Sequence, residues 1–384
     1  MRITAIETIS ALFKGPANTV GIDIGSHALK IIYLDGVGPK YKIAGWGHLP
    51  LELETSFEQS QAELKNIYTA KLITFLNQNR DMPKEVTTGS DGPALIVRTI
   101  SIPRLAYAEL AKTIQFEAEP FLPVNINECE IGFHILGPSK DDSKKMDVLI
   151  AAVKKDSIES KITLLNDAGL RTVVADANAF ALYNAYETVA KPSETVVILN
   201  IGASITNMVL VDNMTVKMVR DLAYGGIEFT KNVQRQMTVD FKGAENLKMN
   251  HGILVSGDDR ERTLADDKKE ALGVSMALNG AVKMLVGDIH RFIEFYLGQN
   301  PDAVFSRILL AGGTSGLPNL AEYISKETNI TAEIFNPIAQ CEGSNLIPEK
   351  MQPSMVTAFG LAMRREKDHL AAKKAAPAAV KKGK

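Results

Sequence analysis

Three short glycine-bearing turns hold the residues best suited to chemistry. In the first, Gly21-Ile22-Asp23-Ile24-Gly25-Ser26-His27, an apolar strand runs into a tight turn, and Lys30 follows three residues later. A turn built from Gly and Ser presents main-chain N–H groups and a hydroxyl to whatever lies over it. Several amides aimed one way form a cradle for an anion. Lys30 is spaced to return a positive charge to the same anion, and Asp23 to hold a hard cation such as Mg2+ through water. The second turn, Val197-Ile198-Leu199-Asn200-Ile201-Gly202-Ala203-Ser204, repeats the device about 180 residues later, with Asn in place of Asp and Thr206 beyond. The third, Leu310-Ala311-Gly312-Gly313-Thr314-Ser315-Gly316, also follows a strand and precedes a helix. It suits close main-chain approach to a flat or anionic ligand. One strand–turn hairpin alone is common; two related by internal repeat would clamp one polyphosphate from both sides.

The elements that must position these turns alternate strand and helix. Hydrophobic patterning predicts strands at 20–24, 28–34, 41–49 and 94–102, with a helix at 60–79. Residues 97–175 read as a unit of their own. It comprises a strand at 97–102, a helix at 106–121 with Leu110, Ile114 and Phe121 inward, and strands at 130–136 and 147–153. A helix at 157–168 closing at Gly169 and a strand at 172–175 complete it. That β-α-β-β-α-β order suits a split-βαβ unit. Strands at 195–201, 206–211 and 216–222 then lead through Gly225-Gly226 into a helix ending at 237. The polar stretch 258–267 reads as a loop, followed by a long helix at 271–297. A strand at 306–310, a helix at 319–328, a strand at 330–335 and a helix at 355–363 close the chain. Asp288, Arg291 and Glu294 read as a solvated face of the long helix. Met208, Met214, Met218, Met237 and Met249 read as core filler, and Trp46 as a packed strand residue.

A chain of 384 residues, 45% hydrophobic and 23% charged, has room for about two to three globular domains. This excludes a collagen, a coiled-coil rod and a wholly disordered chain. The net charge of −2 joins unlike parts. Arg364, Arg365, Lys367, Lys373, Lys374, Lys381, Lys382 and Lys384, against Glu366 and Asp368, put +6 on the last 21 residues and leave −8 on the other 363. The Ala-, Lys- and Pro-rich end reads as a solvated tail or one drawn to anionic lipid. The acidic body, with no reading motif, argues against nucleic acid. Cys129 and Cys341 make neither a disulfide framework nor a metal site, which fits a reducing compartment. His48, His134, His251, His290 and His369 do not cluster at metal spacing. No apolar run approaches the roughly 20 residues that span a bilayer, and the first 16 residues lack a secretory pattern, so the reading is cytoplasmic. Ile3, Ile6, Ile9, Leu12 and Phe13 share one helical face, fit to pack on the protein itself, on a partner or on a membrane.

With these residues in view, the first turn with Lys30 resembles the first phosphate motif of the actin/Hsp70/hexokinase superfamily. Asn200 to Ser204 with Thr206 resembles its second phosphate motif, and Leu310 to Gly316 its adenosine motif. Ile102-Pro103, Phe116-Glu117-Ala118-Glu119, Leu122-Pro123, Met146 to Ala152, Ala168-Gly169-Leu170, Asp176 and Arg220-Asp221 with Gly225-Gly226 and Thr230 are similar to the PilM family of type IV pilus assembly. The resemblance covers roughly residues 19 to 365. It implies an α/β, actin-like ATPase fold of two ribonuclease H-like lobes with an inserted split-βαβ subdomain of FtsA/PilM type. By position, the first lobe takes residues 19–96, 171–192 and 352–366, the insert 97–170, and the second lobe 193–351. An N-terminal segment, 1–18, and a basic tail, 367–384, stand outside.

The resemblance further implies ATP with Mg2+ in a cleft between the lobes. Gly25, Ser26, His27 and Lys30 would meet the phosphates from one side, and Gly202, Ala203, Ser204 and Thr206 from the other. Gly312, Gly313 and Thr314 would lie along the adenosine, with Gly226 and Lys231 near the ribose and base. Asp23 and Asn200 would face the metal. His27 is expected to act as an N–H donor and not as an acid or base. The superfamily's second motif usually begins with Asp; the amide of Asn200 cannot serve as a base, so slow or no hydrolysis is expected. The implied role is a scaffold that binds the N-terminal cytoplasmic peptide of a PilN-type inner-membrane protein. It would link that complex to the pilus motor ATPase and platform protein at the inner face of the inner membrane. The alternatives are an FtsA-like cell-division homologue polymerising at the membrane, and a sugar or acetate kinase, for which Asp176 is the sole candidate base.

Overall fold

Two five-stranded sheets share one strand order. The computed structural model describes residues 19–37, 40–51, 61–139 and 142–364. The expected amphipathic segment at 1–18 and the basic tail at 367–384 lie outside the described residues. In the first sheet β1 (Thr19–Ile24), β2 (Ala28–Val37) and β3 (Lys40–Pro50) form an antiparallel meander, and β4 (Glu85–Ser90) and β8 (Arg171–Ala177) extend it in parallel, giving the order β3-β2-β1-β4-β8. In the second, β9 (Thr195–Ile201), β10 (Thr206–Asp212) and β11 (Thr215–Leu222) form the meander. Here β12 (Phe305–Ala311) and β13 (Ala332–Ile334) are the parallel extension, in the order β11-β10-β9-β12-β13. The internal repeat seen in the two hairpins therefore extends to whole lobes.

Helices fill the faces of the sheets. Strand β9 is apolar on both faces because each face meets a different core, as a central strand requires. Val197, Leu199 and Ile201 pack with α5 (Gly226–Met237) and the long α8 (Lys269–Gln299). Val196 and Ile198 turn the other way, onto α4 (Asn178–Glu187) and α10 (Val356–Ala362). That same core takes Ile32, Leu34 and Ile43 from the first sheet, so α4 and α10 lie between the sheets and join the lobes. They cross closely: a Cβ on Gly360 would fall 1.8 Å from the Ala181 carbonyl oxygen, and one on Gly21 2.1 Å from that of Ala358. The outer face of the first sheet carries α1 (Gln61–Gln78) and α3 (Lys155–Asp167), through Leu72, Phe75, Leu164 and Leu165. By length and composition α8 could cross a membrane. Its inward side, including Leu278, Val282, Leu285 and Ile289, is instead core of the second lobe.

The inserted subdomain is smaller than the periodicity suggests. It has three antiparallel strands in the order β5 (Leu95–Pro103), β7 (Lys145–Lys154), β6 (Cys129–Pro138), with α2 (Tyr107–Ala118) packed on them through Leu110, Ile114 and Ala118. The predicted closing helix and strand of that unit are α3 and β8, which belong to the first lobe: Leu165, Ala168 and Leu170 pack with Leu72 and Phe75, and β8 pairs with β4. Phe121, expected inward, is exposed, because α2 ends at Ala118 and a 3-10 turn containing Pro120 redirects the chain. The predicted loop at 258–267 is the helix α7 (Gly257–Ala265), started by a reciprocal cap between Ser256 and Asp259. Asp288 is buried; Tyr224 Oη donates to it at 2.8 Å and Arg291 at 2.7 Å. Three strands and helices escape the periodic reading: β4, α4, and α6 (Phe241–His251).

Candidate functional site

The β1–β2 register pairs Asp23 with Lys30 and Ile24 with Leu29, and Gly25 N–H closes the turn on the Ala28 carbonyl at 3.2 Å. Tyr68 of α1 donates its hydroxyl to the Gly25 carbonyl, and Leu51 N–H donates to the His27 carbonyl at 2.7 Å. Both carbonyls are thus held by other elements, and the amides of Ser26 and His27 have no partner among the described residues. Lys30 Nζ lies 3.1 Å from Asp23 Oδ2, both side chains mostly buried. His27 Nδ1 is buried without a hydrogen-bond partner. Burial holds the His27 pKa below its ordinary value. Glu245 opposes that shift, and Lys30 and Lys248 add to it. His48, whose ring is 6.4 Å from that of His27, is lowered to about 4 by burial and then by Lys30 and His27.

The second turn has the same closure: Gly202 N–H donates to the Ile205 carbonyl at 2.9 Å, with Ala203 and Ser204 at the apex. The start of α5 is stitched to it, Gly226 N–H to the Gly202 carbonyl and Ile227 N–H to that of Ala203, both 2.9 Å. Side chains would break this junction, since a Cβ on Gly225 would fall 2.4 Å from Gly202 O and one on Gly226 2.2 Å from Thr314 Oγ1. Gly312 adopts φ +90°, and its Cα approaches the end of β9 so closely that a Cβ would meet Ile201 O at 2.4 Å and Asn200 Oδ1 at 2.8 Å. Asn200, Gly202, Ala203, Gly226, Gly312 and Thr314 are therefore gathered at one place. Gly313 beside them is open, with no atom near where its Cβ would stand. Thr206 is fully buried and donates its hydroxyl to the Tyr224 carbonyl at 2.9 Å, so it supports the bend before Gly225. Lys231 lies on α5, partly exposed.

Sequence reasoning missed Glu245 and Lys248 on α6. Lys248 is 3% exposed, and its ammonium donates to Glu245 Oε2 at 2.7 Å, Thr230 Oγ1 at 2.9 Å and the Gly226 carbonyl at 3.4 Å. Burial pushes its pKa down, and Glu245 resists that shift. Both residues bear electrostatically on His27 of the opposite lobe, Glu245 raising its pKa and Lys248 lowering it. The only signal in the sequence is an i,i+3 acid–base pair, which reads as a surface helix. Asp176, the candidate base of a kinase reading, is instead paired with Arg364 at 3.1 Å and accepts Ala177 N–H at 2.9 Å.

The donor set bears on a metal. Among the described residues no group of three or more His, Cys, Asp or Glu converges as a metal site. Asp23 and the Asn200 amide alone are too few for a free-standing cation. They fit Mg2+ that arrives with phosphate oxygens and keeps several waters, the usual mode for this ion. The unpartnered turn amides and the orphan His27 Nδ1 fit the phosphates.

The model of the type IV pilus assembly protein PilM family matches residues 21–366. The chain belongs to the PilM family. A solved PilM–PilN type IV pilus biogenesis complex is similar at 24% identity, covering 91% of this chain and 98% of that one, with a TM-score of 0.74. Ethanolamine utilization protein EutJ from Carboxydothermus hydrogenoformans is similar at 12% identity, with 91% and 90% covered and a TM-score of 0.53. MreB 5 of Spiroplasma citri bound to AMPPNP follows at 10% identity, 94% and 99% covered, TM-score 0.52. The PilM fold of this chain is thus the actin-like α/β fold, with two lobes of one topology and an insert between β4 and α3.

Proposed function

We propose that this PilM-family chain binds ATP with Mg2+ between its lobes and serves as a nucleotide-dependent scaffold in type IV pilus assembly. The observation that carries the reading is the pair of turns with one closure, Gly25 onto Ala28 and Gly202 onto Ile205. Gly25, Ser26, His27 and Lys30 take the phosphates from one lobe, and Gly202, Ala203 and Ser204 from the other. Gly226, Lys231, Gly312, Gly313 and Thr314 line the nucleoside side, and Glu245 with Lys248 closes it. Asp23 and Asn200 hold Mg2+ through water. The metal, when bound, screens the phosphate charge. Asn200 offers an amide where a base would need a carboxylate, so hydrolysis is slow or absent.

The partner is the N-terminal cytoplasmic peptide of a PilN-type inner-membrane protein, seated where the insert meets the first lobe. The solved complex of a similar PilM with PilN supports a PilN-type partner. Contact with the pilus motor ATPase and platform protein would follow from that position, at the cytoplasmic face of the inner membrane and attached through the partner. Calorimetry with ATP, with and without magnesium, tests the first half; titration with the partner peptide, with and without ATP, tests the second. Tight ATP binding with phosphate release under about 1 s⁻¹, the low end of ordinary enzymes, is expected. No ATP binding would sink the reading.

A further inference from the structure

We infer that Gly92 is the joint through which the second phosphate turn sets the orientation of the inserted subdomain, with Asp221 as its positioning residue. The inference rests on the nucleotide reading above and concerns how that site is coupled to the rest of the molecule. Gly92 opens the 3-10 turn Gly92–Ala94 that runs straight into β5, the first strand of the insert. It is buried at φ +73°, and a Cβ there would fall 2.3 Å from Ile205 Cδ1. Ile205 is the residue whose carbonyl closes the second phosphate turn on Gly202. The root of the insert thus leans on the turn itself.

A polar chain leads to the same point. Asn200 Nδ2 donates to Asn207 Oδ1 at 2.8 Å, Asn207 Nδ2 to Asp221 Oδ1 at 2.8 Å, and Gly92 N–H to Asp221 Oδ2 at 2.6 Å. It begins at the residue facing the metal and ends on the backbone of the insert's root. The first lobe grips the neighbouring residue: Asn178 of α4 donates to Asp91 Oδ2 at 2.9 Å. Three bodies therefore meet at Asp91-Gly92, and the insert has a hydrophobic core of its own. Opening the lobes moves Ile205 and Asp221 together, since both belong to the second sheet's meander, while Asn178 stays with the first lobe. Opening at this junction would part the Asp221–Gly92 hydrogen bond and the Ile205 contact. Any ligand that favours closure thus favours one setting of the insert, as differential contacts in two states require.

Hydrogen exchange on the full chain tests this. In the wild type, ATP with Mg2+ slows exchange at both phosphate turns, 25–30 and 202–206, and at 91–98. Asp221→Ala loses about tenfold of the slowing at 91–98, the fold-change carried by one hydrogen bond to a charged acceptor. It keeps the slowing at both turns and binds ATP within about threefold of wild type. Asp221→Val removes both acceptor oxygens with a side chain suited to a strand, so it loses protection at 91–98 as well and serves if the alanine variant fails to fold. Full protection at 91–98 in both variants would overturn the joint, as would its absence in a wild type whose turns are protected. Turns left unprotected in the wild type would sink the nucleotide reading, and the coupling with it.

Discussion

Asp23 and Lys30 face each other across the β1–β2 ladder, with the ammonium 3.1 Å from the carboxylate. Residues directly opposite on an antiparallel pair are near neighbours, so hairpin register alone places the cation proposed for the phosphates beside the acid proposed for the metal. In this structure the two are paired with each other; on the proposed reading a nucleotide would draw Lys30 to its phosphates and Mg2+ to Asp23. Lys30→Met is expected to weaken ATP about tenfold, the effect of one charge-assisted hydrogen bond. Asp23→Asn is expected to weaken ATP in magnesium and much less in EDTA. Calorimetry under both conditions checks the pair, and equal loss in EDTA for Asp23→Asn would refute the metal role.

Asn200 marks where this chain departs from the Asp usual in its superfamily. Its side-chain nitrogen donates to Asn207 Oδ1 at 2.8 Å. An Asp at this position could draw the Asn207 nitrogen to itself only by releasing it from Asp221 Oδ1, a cost of one hydrogen bond, roughly 1–3 kcal/mol. Asn200→Asp is expected to fold with that loss of stability, to bind Mg2+ more tightly, and to release phosphate faster than wild type. Single-turnover phosphate release measures this; an unchanged rate would show that the missing carboxylate is not what limits hydrolysis.

The repeated hairpin is legible in the sequence because glycine, a small residue and a β-branched run mark it in both halves. Strand β4 is not, because three of its four buried side chains, Thr87, Thr88 and Ser90 beside Val86, are polar, and the Thr88 hydroxyl donates to the Ile22 carbonyl, 66 residues away in sequence. The insert's boundary is equally hidden, since α3 and β8 have the pattern of its closing elements, and only the packing of α3 on α1 and the pairing of β8 with β4 assign them to the lobe. Burial of Asp288 depends on Tyr224 reaching it from 64 residues away, and a single helix face cannot reveal that. At the site, motif spacing finds the glycine turns. It cannot tell that the Thr206 hydroxyl turns toward the Tyr224 carbonyl, or that α6 brings Lys248 beneath Gly226.

His48 gives a pH signature. Its folded-state pKa of about 4 lies below the ordinary 6.5 because burial, Lys30 and His27 disfavour the charged ring. The unfolded chain therefore binds the proton more tightly, and stability is lost as pH falls from 6.5 toward 4. His48 carbon-bound protons should titrate near pH 4 by NMR. Urea midpoints should fall between pH 7 and pH 5, and less steeply in His48→Gln. A His48 titrating near 6.5 would contradict the burial of this corner.

Lys248 and Glu245 give the last test, because removing either partner leaves a different residue behind. Glu245→Ala strands an ammonium that is 3% exposed, with Thr230 Oγ1 and the Gly226 carbonyl as its remaining acceptors. Breaking a fully buried pair this way costs about 3–5 kcal/mol. Glu245 is 40% exposed, so solvent screening reduces the expected loss to about 1–2 kcal/mol. Lys248→Met replaces the ammonium with an apolar chain of similar length and leaves a carboxylate that water can reach, so it should cost less than about 1 kcal/mol. Urea unfolding orders the two. Both variants should weaken ATP, since each removes part of the surface beneath Gly226. The order in stability is the sharper result: if Lys248→Met were the more damaging, the ammonium would be holding α6 to α5, and the pair would be a structural tie in place of a cleft wall.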